Sequence, residues 1–191
     1  IVQEAIFKIL SKNPNALLSA VLLSQKQSWI AEEFAKSVLD EMLMNQKLNK
    51  ADSFYVSPQN VLGLEASNAE KIEDYFYKTI YETLHNQEFQ PIAPYTLYDL
   101  LDIDRQTGDS IFKRLTHERK IVRLNHKLFI CSDVLTRLLE LMRGIIKQEG
   151  YLDLGNFKAH LSLSRKYLIA YLDYLDSFQD IVNTDGKRTF K

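Results

Sequence analysis

Catalysis would have to start from histidine, cysteine and carboxylate side chains, and this sequence does not space them for it. His117 and Glu118 are adjacent, and neighbours on a helix point about 100° apart, so they make a poor acid–base pair. His85, His126 and His160 lack metal-ligand spacing. Cys131, the single cysteine, stands at the end of an expected strand and reads as a small buried apolar residue rather than a nucleophile. The six glycines are scattered as stops and turns, with no Gly-rich strand-to-helix run to cradle a phosphate. The chain is therefore expected to bind rather than catalyse. The residues suited to binding are Leu163-Ser164-Arg165-Lys166-Tyr167 and Thr184-Asp185-Gly186-Lys187-Arg188. Cations in the first turn of a helix oppose the positive end of its macrodipole, so Arg165 and Lys166 are badly placed for helix stability. A phosphate at that helix start would satisfy the free backbone N–H groups and both side chains together. Arg165 and Arg188 can fork onto phosphate or guanine, while Lys166 and Lys187 act as point charges.

A helix start and a hairpin tip must position these residues, and both recur along the chain. The sequence repeats a plan of about sixty residues: helix, short helix, third helix with a polar start, then two short strands around a turn. In the first copy, Val2, Ile6, Ile9 and Leu10 follow helical spacing and Asn13-Pro14 breaks the chain. Ser28 reads as the N-cap of a helix carrying Ile30, Phe34, Val38 and Met42 to about Gln46, with Trp29 beside it in a core or inter-module packing role, the alternative being contact with a partner, before a hairpin ending at Pro58. The second copy places Ile72, Phe76, Ile80 and Leu84 on one helix face, a short helix at Tyr95–Leu101 and a third helix starting at Thr107 or Asp109. Its hairpin turns at Asn125-His126. The third opens at Asp133, stops at Gly150, restarts at Ser164 with Tyr167, Leu168, Tyr171, Leu172 and Leu175 inward, and pairs Ile181-Val182 with Thr189-Phe190 across Asp185-Gly186.

Three helices and a hairpin make a winged helix. The expected fold class is mainly α with small β-hairpin wings, a tandem array of three winged-helix domains over 1–64, 65–131 and 132–191. In such a domain the third helix start and the wing tip lie on one side, which would bring the two basic pairs together. The alternative is that these are solvated surface charges, with Asp173 and Asp176 as partners, and that Tyr167 is core. Lys113-Arg114, Arg119-Lys120 and Arg123 form another basic group, read as structural because Asp109 and Glu118 stand near it.

With 46% apolar and 11% aromatic residues the chain can bury cores. No apolar run approaches the ~20 residues of a membrane span. One cysteine allows no internal disulfide, and Ile1 to Leu10 does not read as a signal peptide, so a cytoplasmic location is expected. A net charge of −1 gives no overall attraction to nucleic acid, which leaves the local arrangement to decide.

Asn156-Phe157-Lys158, Leu163 to Tyr167, Leu172-Asp173-Tyr174-Leu175-Asp176 and Asp185-Gly186-Lys187-Arg188 together resemble the last winged helix of bacterial selenocysteine-specific translation elongation factors. Asp173 stands where that family usually has Glu, Leu175 where it has Phe, and Ile181-Val182-Asn183 where Thr and Arg are commoner. The resemblance is clearest over the last copy, continues through Pro91–Ile130 and thins towards the first. It implies a non-enzymatic part of a longer factor whose GTPase, with GTP and Mg²⁺, and selenocysteinyl-tRNA-binding domains lie upstream. It also implies that the C-terminal modules hold a selenocysteine insertion hairpin of the mRNA at a UGA codon on the ribosome. Ser164, Arg165, Lys166, Tyr167, Gly186, Lys187 and Arg188 would be the RNA-binding set, on a monomer. The competing reading is a tandem winged-helix DNA-binding transcriptional regulator, which would normally dimerise. A third is a protein-interaction scaffold.

Overall fold

The structure, a computed structural model, describes residues 1–60 and 69–191. The expected boundary at 64/65 lies outside them. The element order repeats helix, helix, helix, strand, strand. It runs α1 (Val2–Lys12), α2 (Ala20–Lys26), α3 (Glu32–Met44), β1 (Asn49–Ala51) and β2 (Phe54–Val56), then α4 (Ala69–Asn86), α5 (Pro94–Leu101), α6 (Arg105–His117), β3 (Ile121–Asn125) and β4 (Leu128–Cys131). It ends with α7 (Ser132–Glu149), α8 (Leu154–His160), α9 (Arg165–Leu175), β5 (Ile181–Thr184) and β6 (Lys187–Phe190). The strands pair as three antiparallel hairpins, β1-β2, β3-β4 and β5-β6. The molecule is mainly α with small β-hairpin wings, as its periodicities predict.

By packing, the chain divides into two compact units, Ile1–Ile80 with Pro94–Lys113, and Tyr81–Ala93 with Arg114–Lys191. In the first, Val2 and Ile6 of α1 meet Leu22, Leu23, Ala35, Leu39 and Met42, and Tyr55 closes the core. The backbone of Leu18 pairs with Tyr55 in both directions at 2.8 Å, adding a third strand contact to the hairpin. α3 begins at Glu32 after Ala31, later than Ser28 predicts. A turn intervenes, with Ile30 N–H donating to Gln27 O at 2.9 Å, and Glu32 and Glu33 supply the acidic first turn a macrodipole favours. Trp29 lies in that turn and is 56% exposed, so it is not a core residue, and its indole donates to Gln27 Oε1. Phe34 is also exposed, because Ala35 and Leu39 take the inward positions beside Val38 and Met42.

The same unit holds α5. α6 starts at Arg105, ahead of both expected positions, because Asp104 accepts hydrogen bonds from Thr107 N–H at 2.9 Å and its hydroxyl at 2.7 Å. Gly108 is neither stop nor turn: a Cβ there would come within 2.5 Å of the Tyr98 ring, which also packs edge-on against Phe112. Asp102 is buried and takes Lys26 Nζ at 2.5 Å and Asn13 Nδ2 at 3.2 Å, tying α5 to the first helices.

In the second unit, α7 follows Cys131 and buries Val134, Leu135, Leu138, Met142, Ile145 and Ile146. Asp133 falls in its first turn instead of capping it. Gly150 ends it at φ 86°, the left-handed conformation its position predicts. Asp153 and Asn156 form a reciprocal capping box at the start of α8. α9 packs against β3. Its tyrosines are anchored in the same unit, Tyr167 donating to Pro91 O at 3.1 Å and Tyr171 to Phe89 O at 2.7 Å. Cys131 is fully buried, and desolvation first, then Asp133, pushes its thiol up to about 12, so it stays protonated.

Candidate nucleic-acid interface

Ser164 is the N-cap of α9, with extended backbone at φ −66° and ψ 151°, and its side chain makes no capping hydrogen bond. No acid occupies the first turn. Arg165 and Lys166 are exposed at this helix end, beside N–H groups that no preceding turn can satisfy. Lys166 Nζ rests 4.6 Å from the Tyr167 ring centroid. The exposed side of α9 continues through Ile169 to Asp173, so its cations are confined to the first turn.

Tyr167 is core: it is 7% exposed and its hydroxyl is spent on Pro91. It has no free face for an extruded base, which decides for the alternative the sequence left open.

The wing is turned at Asp185 and Gly186, with φ 51° and 86°, as the Asp-Gly pair predicts. Its chemistry differs from the expectation. Arg188 is 8% exposed and forks onto Asp176, Nε to Oδ1 at 2.9 Å and Nη2 to Oδ2 at 2.8 Å. Its Nη1 donates to Gly186 O at 2.9 Å. Asn183 completes the ring, donating from Nδ2 to Asp176 Oδ2 at 2.9 Å and accepting Gly186 N–H at 3.1 Å. Burial alone would raise the Asp176 carboxyl, but the Arg188 and Asn183 hydrogen bonds and the Arg188 charge outweigh it and hold it below the ordinary carboxylate range. Arg188 is thus a wing strut, and both backbone groups of Gly186 are occupied, which corrects the expected RNA contacts at these two residues.

The two basic pairs do not form one cluster. Asp176, the Arg188 partner, is the C-cap of α9, about 16 Å along the axis from Arg165 at ~1.5 Å per residue. Leu152, just ahead of α8, bridges Arg188 from the other side through backbone bonds of 2.8 Å. The strut therefore sits where α8 begins and α9 ends, away from the turn that Arg165 and Lys166 occupy. Lys187 is exposed, with Nζ 4.7 Å from the Tyr151 ring centroid. Ser164, Arg165, Lys166 and Lys187 remain open to a ligand.

The sequence undervalued a second basic group. Between Arg114 and Lys127, five cations face one carboxylate, Glu118. Glu118 pairs with Arg114 at 3.0 Å, and Asp109 accepts the Tyr98 hydroxyl at 3.2 Å. Neither offsets Arg119, Lys120, Arg123 or Lys127, all exposed and without an ion-pair partner among the described residues. The usable signal was the ratio of cations to acids over this hairpin.

Residues 144–190 match the family model described as "Elongation factor SelB, winged helix". No curated protein matches the chain in sequence. Among solved structures, the mRNA-binding domain of elongation factor SelB from E. coli, in complex with SECIS RNA, is similar over 62% of this chain and 97% of its own, with 17% identity and a TM-score of 0.55. A bacterial selenocysteine-specific elongation factor, EF-Sec, aligns with all of this chain at 19% identity and a TM-score of 0.45, and the chain spans 30% of its length. The fold is common to this chain and the E. coli domain, and residues 144–190 are similar to the winged helix that the SelB family model describes.

Proposed function

We propose that this chain binds a selenocysteine insertion hairpin of mRNA, with the start of α9 as the primary contact. The observation that carries the reading is the SelB winged-helix match over 144–190, the segment that presents Arg165 and Lys166 at an uncapped helix N-terminus. The E. coli SelB domain of similar fold is an mRNA-binding domain held in complex with SECIS RNA. Ser164, Arg165 and Lys166 would hold phosphates at a loop or bulge, where RNA displays readable bases, since the A-form major groove is too narrow for side chains. Lys187 adds a peripheral charge from the wing. The division into three winged-helix modules, 1–64, 65–131 and 132–191, belongs to this reading. Tethering of an upstream GTPase and its selenocysteinyl-tRNA to the ribosome belongs to it too. GTP and Mg²⁺ would act in that GTPase, since this sequence has no glycine-rich phosphate loop to fit them.

One observation separates this reading from a duplex-DNA regulator. A recognition helix lying along a groove needs polar and basic residues down its exposed side, whereas α9 offers cations in one turn, then Ile169 and Asp173, and buries Tyr167 and Tyr171 against its own chain. The test is a titration of the chain against a bulged selenoprotein-message hairpin and a DNA duplex of the same length. Tight, salt-sensitive binding to the hairpin alone is expected, and preference for the duplex would overturn the proposal.

A further inference from the structure

The β3-β4 hairpin holds a denser run of unpaired positive charge than the α9 start. Arg119, Lys120, Arg123 and Lys127 are exposed, and no carboxylate lies in ion-pair range of any of them among the described residues. For a chain of net charge −1, such a group marks a surface built to meet an anion.

The backbone that carries these side chains is held in place, and so is the Arg123 side chain itself. Arg119 adopts φ 57°, a left-handed conformation that Gly or Asn would take at less cost. Its carbonyl is held by the Ser132 hydroxyl at 2.6 Å, and the Lys120 carbonyl by Ser132 N–H at 2.9 Å. Lys120 N–H donates to Leu115 O at 2.9 Å. Arg123 lies on the exposed face opposite Phe129, its guanidinium 5.8 Å from that ring and its Nε 3.3 Å from Asn125 O. Lys127 follows a turn closed by its own N–H on Asn125 Oδ1 at 2.9 Å. A guanidinium rested on a ring loses less freedom on binding than a free one.

Position identifies the ligand. α9 packs against β3 within one compact unit, and Tyr167 in its first turn is bonded to Pro91 of that unit. The turn bearing Arg165 and Lys166 and the basic hairpin are therefore carried on adjoining elements. An RNA hairpin gripped near its loop by the first must send its stem somewhere, and the stem is a double row of phosphates. We propose that the β3-β4 wing is a second RNA contact, holding phosphates of the double-helical stem while the α9 start holds the loop or bulge. This rests on the RNA-hairpin reading above.

The experiment compares the wild-type chain, Lys120→Ala/Arg123→Ala/Lys127→Ala and Arg165→Ala/Lys166→Ala across a salt series. Each is titrated with a full-length bulged hairpin and with the same loop on a stem shortened to about three base pairs, a stem too short to reach a second phosphate-binding element. The wing variant is expected to bind the full hairpin about tenfold more weakly. The slope of log Kd against log salt should fall by about 0.7 to 0.9 for each phosphate that is no longer neutralised, and affinity for the short hairpin should be unchanged. The α9 variant should bind both RNAs more weakly. A wing variant with wild-type affinity and salt slope on the full hairpin overturns the second contact and leaves the α9 reading standing. Equal weakening on both hairpins overturns the stem assignment. A wild-type chain that binds neither overturns both readings.

Discussion

Arg188 and Arg165 are alike as residue types and opposite in use, which separates the effects of their removal. Arg188→Ala would leave the Asp176 carboxylate half-enclosed without its forked partner. Stranding a charged group in this way costs about 1–3 kcal/mol, so a lower thermal midpoint at neutral pH is expected. The pH dependence follows from the sign of the shift. The Asp176 carboxyl is held below its ordinary value of 3.8, so its contribution is fully present above that pH and is lost as pH falls through the lower folded value. Melting curves of wild type and Arg188→Ala should therefore differ most at neutral pH and converge at the acid end. A constant gap at every pH would show that the Asp176 charge is not what the arginine stabilises. Arg165→Ala/Lys166→Ala should not lower the melt and should raise it slightly, since both side chains are exposed and oppose the helix macrodipole. It should weaken hairpin binding by about 1–3 kcal/mol per specific contact. At Cys131, full burial and a thiol pushed up to about 12 predict no labelling by a thiol reagent under native conditions and rapid labelling in denaturant.

At the scale of elements, close approach matters more than propensity. Gly108 sits inside α6, where alanine would ordinarily be the better helix former by about 1 kcal/mol. A Cβ there would meet the Tyr98 ring at 2.5 Å, and that ring is fully buried against Phe112. Gly108→Ala is thus expected to destabilise by about 1–3 kcal/mol through overpacking, and a denaturant midpoint at or above wild type would refute the contact. The same logic governs α9. Its amphipathic stripe is plain from Tyr167, Leu168, Tyr171, Leu172 and Leu175, all buried. Which chain segment would cover the tyrosines was not legible, because their partners are the backbone carbonyls of Pro91 and Phe89, some 76 and 82 residues away. Element starts shifted for a local reason instead: Asp104, three residues ahead of Thr107, caps α6, and a turn closed from Ile30 to Gln27 delays α3 past Ser28.

At the scale of the molecule, charge is distributed so that binding must be local. With a net charge of −1, the chain is expected to bind non-specific duplex DNA weakly at physiological salt. A filter-binding comparison of hairpin and random duplex would read this directly, and equal affinities would contradict it. Two basic surfaces on one compact unit, at the α9 start and on the β3-β4 wing, are what the fold offers an RNA.

What the sequence determined by itself was local: the order of helices and hairpins, the buried stripes, the left-handed stop at Gly150 and the wing turn at Asp185-Gly186, and the first-turn cations of α9. These depend on residues within a few positions of one another, where periodicity and turn chemistry act. Tertiary structure alone decided which cations are free. Arg188 is drawn inward because Asp176, twelve residues earlier, reaches it, and the β3-β4 cations stay outward because the acids nearest them in sequence, Glu118 and Asp133, are engaged by Arg114 and His85. A charge counted along a chain carries no record of its partner, since ion pairing is set by distances in space that only the packed fold supplies.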